Sequence, residues 1–565
     1  MKLIISELMS LISKRQERNI RILIKFFMVL IGMVTLYSVL FHFLMLYEDK
    51  EFSWITGFYW TLTVMSTLGF GDITFHTDPG KLFSIVVLMS GIVFLLTMLP
   101  FTFIQFFYLP WLEALQKARA PRGLPEGTTG HVILKNNDPV TMSLADKLRT
   151  YGTPYVIATD DIHQALALQD QDYKAAVGDL GDPETYRGLR AEAAALVLAN
   201  INDMMNTNIA FTVREISQEV PIAANADVDD SVDILELAGS THVFQFTKML
   251  GQSLARRVLG STTGANVIGR IESLLIAEAP AMRTPLVDKT LEECRLRETI
   301  GVNVVGLWER GRFEIPTAKT RIRSTTVLLL AGSADQLKAY DDQYAQYQTR
   351  EAPVIVLGGG RVGHAAAEVL EARGINYRVV EKRKRLIQDS RYVLGSAADI
   401  RILTRAGILD APSVIVTTHD DPTNTYLTIY CRKLRPDIQI ICRANLERNI
   451  SRLHTAGADL VMSYSSMAVD TILNILKPDE MLMLAEGLSV FRVPVPAAIV
   501  GKSLSESQIF KQTGCNLVAI YEQGALHINP DPTFRFGENN ELILIGTGEA
   551  EGKFSRMLSE MTRIE

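Results

Sequence analysis

The chain has 565 residues, a formal net charge of −6 and a pI near 6.0. Hydrophobic residues at 47% against 21% charged exclude a disordered polar chain; the acidic balance argues against a nucleic-acid partner; four cysteines without a CxxC pair exclude a disulfide scaffold. A mean hydropathy of +0.13 is high for a soluble protein and low for one that is membrane throughout, which predicts a membrane part joined to soluble domains.

Residues 26–47 contain no Asp, Glu, Lys or Arg. As a helix they span roughly 33 Å, enough for a bilayer core of about 30 Å. A second charge-free run covers 82–110, with Pro100 marking or kinking its inner end. Lys14, Arg15, Arg18, Arg21 and Lys25 precede the first run, and Lys117, Arg119 and Arg122 follow the second. The segment between them carries Glu48, Asp49 and Glu51 against Lys50. The positive-inside rule then places both termini in the cytoplasm of a multi-pass protein of the inner (plasma) membrane. The apolar stretch 52–71 cannot also cross without breaking that charge pattern. It is predicted as a re-entrant helix near 54–66, followed by an extended strip, Thr67, Leu68, Gly69, Phe70, Gly71 and Asp72, whose carbonyls face a pore. Gly91, half-way down the second run, serves either close helix packing or a bend that opens the pore. No run carries a ladder of Arg or Lys, so no voltage sensor is expected.

The order outer helix, pore helix, filter, inner helix is that of the potassium-channel pore. The segment from Thr63 to Asp72, TVMSTLGFGD, resembles the family signature TxxTVGYGD, with Leu68 in place of Val and Phe70 in place of Tyr. The resemblance implies that four such strips replace the hydration shell of a potassium ion. The Thr67 side chain would supply the innermost oxygens, with the carbonyls of Thr67, Leu68, Gly69 and Phe70 above it. Phe70 lacks the hydroxyl that commonly ties such a filter to its pore helix.

After a linker-like stretch at 121–127, the chain repeats at a spacing of about 220 residues. Val132-Ile133-Leu134 matches Val354-Ile355-Val356, and Leu196-Val197-Leu198 matches Val414-Ile415-Val416. Short apolar runs alternate with helix-length segments, the pattern of a doubly wound parallel sheet. Each copy closes in a smaller lobe, where Val302-Asn303-Val304 matches Cys515-Asn516-Leu517. A Rossmann-like lobe followed by this smaller α+β lobe resembles the RCK domain, the regulator of potassium conductance. The expected division is therefore a pore at 1–120 (spans about 22–47 and 82–108, pore helix and filter 54–72), a first RCK domain at 128–345 (lobes 128–260 and 262–345) and a second at 350–565 (lobes 352–480 and 485–565). The resemblance implies a homotetramer in the lipid bilayer, gated by a cytoplasmic ring of RCK copies.

In the second copy, Gly358, Gly359, Gly360, Arg361, Val362 and Gly363 form a GxGxxG turn between a strand and a helix. Glu381 ends the next strand, 18 residues after Gly363, where an acid accepts hydrogen bonds from a ribose. Strand, turn, helix and acid together point to NAD or ADP. Lys382, Arg383, Lys384 and Arg385 follow, as a solvated face or as holders of an extra phosphate. The first copy has Asn136, Asn137, Asp138, Pro139, Val140 and Thr141 at the same place, which predicts loss of dinucleotide binding. Asp227, Asp229 and Asp230, with Asp233 and Glu236 close by, form an acidic cluster of a kind that suits calcium, although not at EF-hand spacing. The favoured function is a ligand-gated potassium channel and not an enzyme. The alternatives are part of a potassium transporter and a membrane-anchored NAD-dependent oxidoreductase, for which His364 and His419 are the histidines near the nucleotide lobe.

Overall fold

The computed structural model describes residues 14–554 except 110, 113–119, 264, 283, 310–311, 345–351, 477–480, 484–487, 548–549 and 552. Lys117 and Arg119, two of the charges that set the orientation, and the expected junction at 345–350 lie outside the described residues. The chain divides into two compact units, Met1–Pro121 and Arg122–Glu565.

In the first unit, α1 (Lys14–Tyr47) and α3 (Asp78–Gly91) flank the short α2 (Trp54–Met65). Two helical stretches, Ile24–Tyr47 and Asp78–Phe103, are long and apolar enough to cross a membrane. The Ser53 hydroxyl caps α2 by accepting from the Thr56 N–H, and Thr77 caps α3 through the Gly80 N–H. Phe41, Met45, Trp60, Met65, Phe75 and Val87 make a buried core where the three helices meet, with the Phe41 and Trp60 rings stacked at 4.9 Å. Pro100 does not end the inner helix. The helix runs on through π-helical turns at Ile92–Met98 and Ile104–Tyr108 on either side of it. Pro100 has no N–H to donate, and the wider turn ahead of it takes up the missing bond.

The second unit holds two parallel sheets and two smaller antiparallel ones. The first parallel sheet contains β1 (Val132–Lys135), β2 (Tyr155–Thr159), β3 (Ala175–Val177), β4 (Leu196–Ala199), β5 (Ile222–Asn225) and β6 (His242–Phe244), in the order β3-β2-β1-β4-β5-β6. The first small lobe contains β7 (Asn266–Ile271), β8 (Leu274–Pro280), β9 (Asn303–Glu309), β10 (Arg312–Glu314) and β11 (Thr326–Gly332), in the order β10-β9-β11-β8-β7. The second parallel sheet contains β12 (Val354–Leu357), β13 (Tyr377–Glu381), β14 (Tyr392–Leu394), β15 (Ser413–Val416), β16 (Gln439–Ala444) and β17 (Leu460–Ser463), in the same doubly wound order, β14-β13-β12-β15-β16-β17. The last lobe contains β18 (Met481–Met483), β19 (Leu488–Pro494), β20 (Asn516–Glu522), β21 (Ala525–Ile528) and β22 (Glu541–Thr547). Register repeats as well: Val132 pairs with Tyr155 in the first copy and Val354 with Tyr377 in the second.

Among the helices that frame the two parallel sheets are α4 (Pro139–Thr150), α5 (Asp203–Ile216), α6 (Phe246–Thr263), α7 (Arg361–Ala372), α8 (Asp421–Leu434) and α9 (Tyr464–Leu476). The duplication extends to single hydrogen bonds. Arg214 on α5 donates to the carbonyls of Gly239, Ser217 and Val220; Arg432 on α8 donates to those of Gly457, Pro436 and Ile438. Gly239 and Gly457 share a positive φ, +99° and +112°. Thr290 with Glu293 and Ser503 with Glu506 form matching capping boxes in the two small lobes.

The helices at the ends of the parallel-sheet lobes are exchanged. Leu250, Leu254, Ala255 and Val258 of α6, from the first copy, pack in one core with Val356, Val379 and Ile415 of the second sheet. Ala468, Val469, Ile472 and Leu473 of α9, from the second copy, pack with Val132, Leu134 and Leu196 of the first. A buried ion pair anchors α6 to β8: Arg257 donates to Glu278 twice, at 2.9 and 2.8 Å.

Candidate functional site

The pore strip leaves α2 through Ser66. Its backbone has positive φ at alternate residues, +62° at Thr67, +46° at Gly69 and +77° at Gly71. A β-strand turns successive carbonyls to opposite sides, whereas alternating handedness lets them face the same side, as an ion-coordinating strip requires. Two of the three positions are glycine; at the third, Thr67 is a β-branched residue in a strained region. The space beside Gly69 is open in the single chain, so backbone handedness, and not crowding of a Cβ, is the constraint there. The Thr63 carbonyl accepts from the N–H groups of Leu68 (3.0 Å) and Gly69 (3.3 Å), which ties the strip to its helix.

The ties above the strip were not read from the sequence. The Tyr59 hydroxyl donates to Asp72 (3.1 Å), the Trp60 ring N–H donates to the Ile73 carbonyl (3.1 Å), and the Phe70 ring lies parallel to Tyr59. Tyr59 thus supplies a hydroxyl where Phe70 has none. The signal was present as two aromatic residues 13 positions ahead of Asp72 and Ile73, a separation that spans the helix and the strip. Glu48 adds a clamp, accepting from the backbone of His76 and Thr77 and from the Thr77 hydroxyl. Gly91 stands where α-helix gives way to π-helix, and a Cβ there would lie 2.3 Å from the Met65 carbonyl oxygen. That contact favours close packing for Gly91.

In the second copy, β12 runs into Gly358 at φ +110°. The Thr417 hydroxyl donates to the Gly358 carbonyl (2.8 Å) and holds the turn against β15. Gly363 is required by contact, since a Cβ would stand 1.8 Å from that same carbonyl oxygen. Gly360 is the N-cap of α7 and offers no side-chain cap, and only the tip of Arg383 comes within 3.5 Å of a Cβ placed on it. The first N–H groups of α7 are therefore open to an anion, and the helix dipole adds to the attraction.

The first copy is closed at the same place. The Asp138 carboxylate accepts from the N–H groups of Val140 (2.8 Å) and Thr141 (3.2 Å) and from the Thr141 hydroxyl (2.8 Å). Its own side chain fills the anion position. Burial raises the Asp138 carboxyl above the usual range, against the pull of these bonds. Beneath it the Lys135 amine is fully buried over the Tyr186 ring at 4.1 Å, and burial pushes it down to about 7.

Glu381 lies where the sequence places it, at the end of β13, but its carboxylate is already engaged. One oxygen accepts from the Gly359 N–H (2.8 Å) and the Arg383 guanidinium (3.2 Å), the other from the Arg383 N–H (2.8 Å) and side chain (3.0 Å). Burial pushes this carboxyl up, and the bonds from Arg383 and Gly359 outweigh it and hold it below the usual carboxylate range. Arg383 is the residue of the basic run that folds back on Glu381, with its side chain still half exposed. His364 turns to Glu368 on its own helix (3.3 Å), and the His419 carbonyl accepts from Asn445.

The acidic cluster expected to suit calcium is not drawn together into a ligand set. Among the described residues no group of three or more His, Cys, Asp or Glu is placed to hold a metal ion. Asp227 pairs with Arg361 and Asp229 with Lys248 (2.8 Å), while Asp230 lies in the short 3-10 turn Asp229–Ser231. Cations of this chain take the charge that a metal would neutralise.

Comparison with known proteins agrees with this architecture. The ion channel family matches residues 24–108; the TrkA-N domain matches 138–245 and 354–464; the TrkA-C domain matches 279–344 and 488–559. The solved GsuK channel bound to NAD is 36% identical, covers 96% of this chain and 100% of its own, and superposes with a TM-score of 0.58. The GsuK RCK domain structure is 35% identical, covers 80% of this chain and 100% of its own, with a TM-score of 0.57. Potassium channel protein 1 of Methanocaldococcus jannaschii is 24% identical over 217 residues, 36% of this chain. The chain spans 18% of an uncharacterized protein of Methanothermus fervidus and 65% of that potassium channel protein. An ion channel family match followed by two TrkA-N and TrkA-C pairs, and a solved channel matched along its whole length, lead to one assignment: the chain belongs to the family of potassium channels that carry tandem RCK domains.

Proposed function

We propose that the protein conducts potassium selectively through a homotetrameric pore in the inner (plasma) membrane, with both termini and the RCK copies in the cytoplasm. A ring of eight RCK copies gates it, and NAD or ADP bound at the second copy sets the state of the ring. The pore then comprises residues 1–120, and the copies 128–345 and 350–565. The filter is Thr67 to Asp72, with the bend at or just after Gly91. Gly358 to Gly363 cradle the pyrophosphate, with Glu381 and Lys382 toward the ribose. Exposed apolar residues on the equivalent helices, Met204 and Phe211 on α5 and Tyr426 and Ile429 on α8, support assembly into a ring.

The observation that carries the ligand assignment is the contrast between two helix N-termini: Asp138 caps α4, and no side chain caps α7. NAD in the related GsuK channel supports the same choice. A bound dinucleotide supplies negative charge at the start of α7. The chain's part is to orient it, with Glu381 exchanging the Arg383 contact for ribose hydroxyls.

The test is full-length protein in planar bilayers under a potassium gradient, with NAD or ADP added to one side. A reversal potential at the potassium equilibrium value and a nucleotide-dependent open probability are expected. Gly360→Asp should abolish the response and leave selectivity intact. Parental nucleotide response in Gly360→Asp, or a reversal potential that ignores potassium, overturns the reading.

A further inference from the structure

The acids that resemble calcium ligands in the sequence stand against the nucleotide turn. Asp227 follows β5 of the first copy, and its carboxylate pairs with the guanidinium of Arg361, which also donates to the Asp227 carbonyl (3.4 Å). Arg361 is the first residue of α7, directly after Gly360. Asp229 is held by Lys248 and Gln245 and feels the charge of His364, one turn along α7. The backbone of the turn is in contact with the first copy too. A Cβ on Gly251 of α6 would stand 2.3 Å from the Val362 carbonyl oxygen and 2.8 Å from the Ala365 side chain. The second copy's phosphate turn is thus seated on the first copy's α6 and charge-paired to its β5 edge.

We propose that Arg361 is shared between two anions: it holds Asp227 when the turn is free and leaves Asp227 for the pyrophosphate when the turn is filled, so that nucleotide releases the first copy. This device rests on the assignment of a nucleotide to the second copy. The side chains of Arg361 and Asp227 are 55% and 35% exposed. An ion pair that open to water holds weakly. A pyrophosphate offers more charge and suits the planar guanidinium fork. Linkage then fixes the reciprocal effect: what Arg361 loses on leaving Asp227 appears as weaker nucleotide binding.

The experiment uses full-length protein in lipid nanodiscs for calorimetry with NAD, and the same proteins in bilayers for open probability. Asp227→Asn should tighten NAD binding about two- to fivefold, the range of an exposed pair. It should also shift nucleotide-free open probability in the direction in which NAD shifts the parent. In an Arg361→Gln background, Asp227→Asn should change neither quantity; with Arg361 present, Asp227→Glu should keep parental behaviour. Equal tightening in both backgrounds would show that Asp227 acts only as a distant charge, and the shared-arginine device is then wrong. It is equally wrong if Asp227→Asn leaves binding and unliganded opening unchanged. A parent that binds no NAD overturns the nucleotide assignment and this inference together; a parent that binds NAD while the variants act additively overturns this inference alone.

Discussion

Replacement of Gly69 by Ala isolates the backbone requirement of the filter. Gly69 has φ +46°, and no atom lies within 4 Å of the Cβ that Ala would add, so sterics within the chain cost nothing. The penalty is conformational: an L-residue held in the left-handed region costs roughly 1–2 kcal/mol. In the proposed tetramer the cost is incurred four times, roughly 4–8 kcal/mol per pore. At about 1.4 kcal/mol per tenfold, the population of intact filters falls by about a thousandfold to a millionfold. Selective current in Gly69→Ala should therefore vanish, measured as potassium flux into liposomes and as unitary events in bilayers. Gly71→Ala, at φ +77°, should behave alike. Gly32→Ala is the control, because Gly32 lies in α1 with open space beside it and no positive φ. A Gly69→Ala channel with parental potassium selectivity and conductance would refute the argument from handedness.

Packing and charge set three further outcomes. Gly363→Ala forces a Cβ to 1.8 Å from the Gly358 carbonyl and should destabilise the second copy by about 1–3 kcal/mol while abolishing NAD binding heat; unchanged calorimetry would contradict it. Arg257→Met leaves Glu278 buried and alone and should cost about 3–5 kcal/mol, most of it recovered in Arg257→Met/Glu278→Leu, as read from denaturation midpoints. Because Glu381 is held below the usual carboxylate range, its contribution to stability is complete above that range and is lost as pH falls through its lowered value; Glu381→Gln should remove this acid limb, and an identical acid profile in the variant would argue against it.

Both the doubly wound strand–helix alternation and the GxGxxG turn were legible because they rest on local signals: short apolar runs, glycines at fixed offsets, an acid at the next strand end. The loss of the motif in the first copy was legible for the same reason, although the structure adds that Asp138 takes the place of the anion. The Arg383–Glu381 contact was not legible, because a run of four basic residues does not say which one folds back on Glu381. Asp227 and Arg361 lie 134 positions apart, and composition alone made the acids resemble a metal site. The Tyr59–Asp72 bond was hidden by the re-entrant turn, which brings a helix residue beside a strip residue only in three dimensions. The positive φ of Thr67 had no sequence signal, since threonine is among the residues least suited to it.

The exchange of α6 and α9 makes the soluble part a fused dimer. Without α9, Val132, Leu134 and Leu196 would lose apolar cover, and so would Val356, Val379 and Ile415 without α6. Neither half carries a complete core, so a chain cut between them should yield two fragments that stay apart only as aggregates and mix to recover the fold. Tethering raises the effective concentration of each half for the other, and dilution cannot undo the exchange. A covalent pair also escapes the rule that both members of a symmetric dimer change together. One half fills its anion cradle with its own aspartate while the other keeps its cradle open, an asymmetry that two separate identical chains do not have.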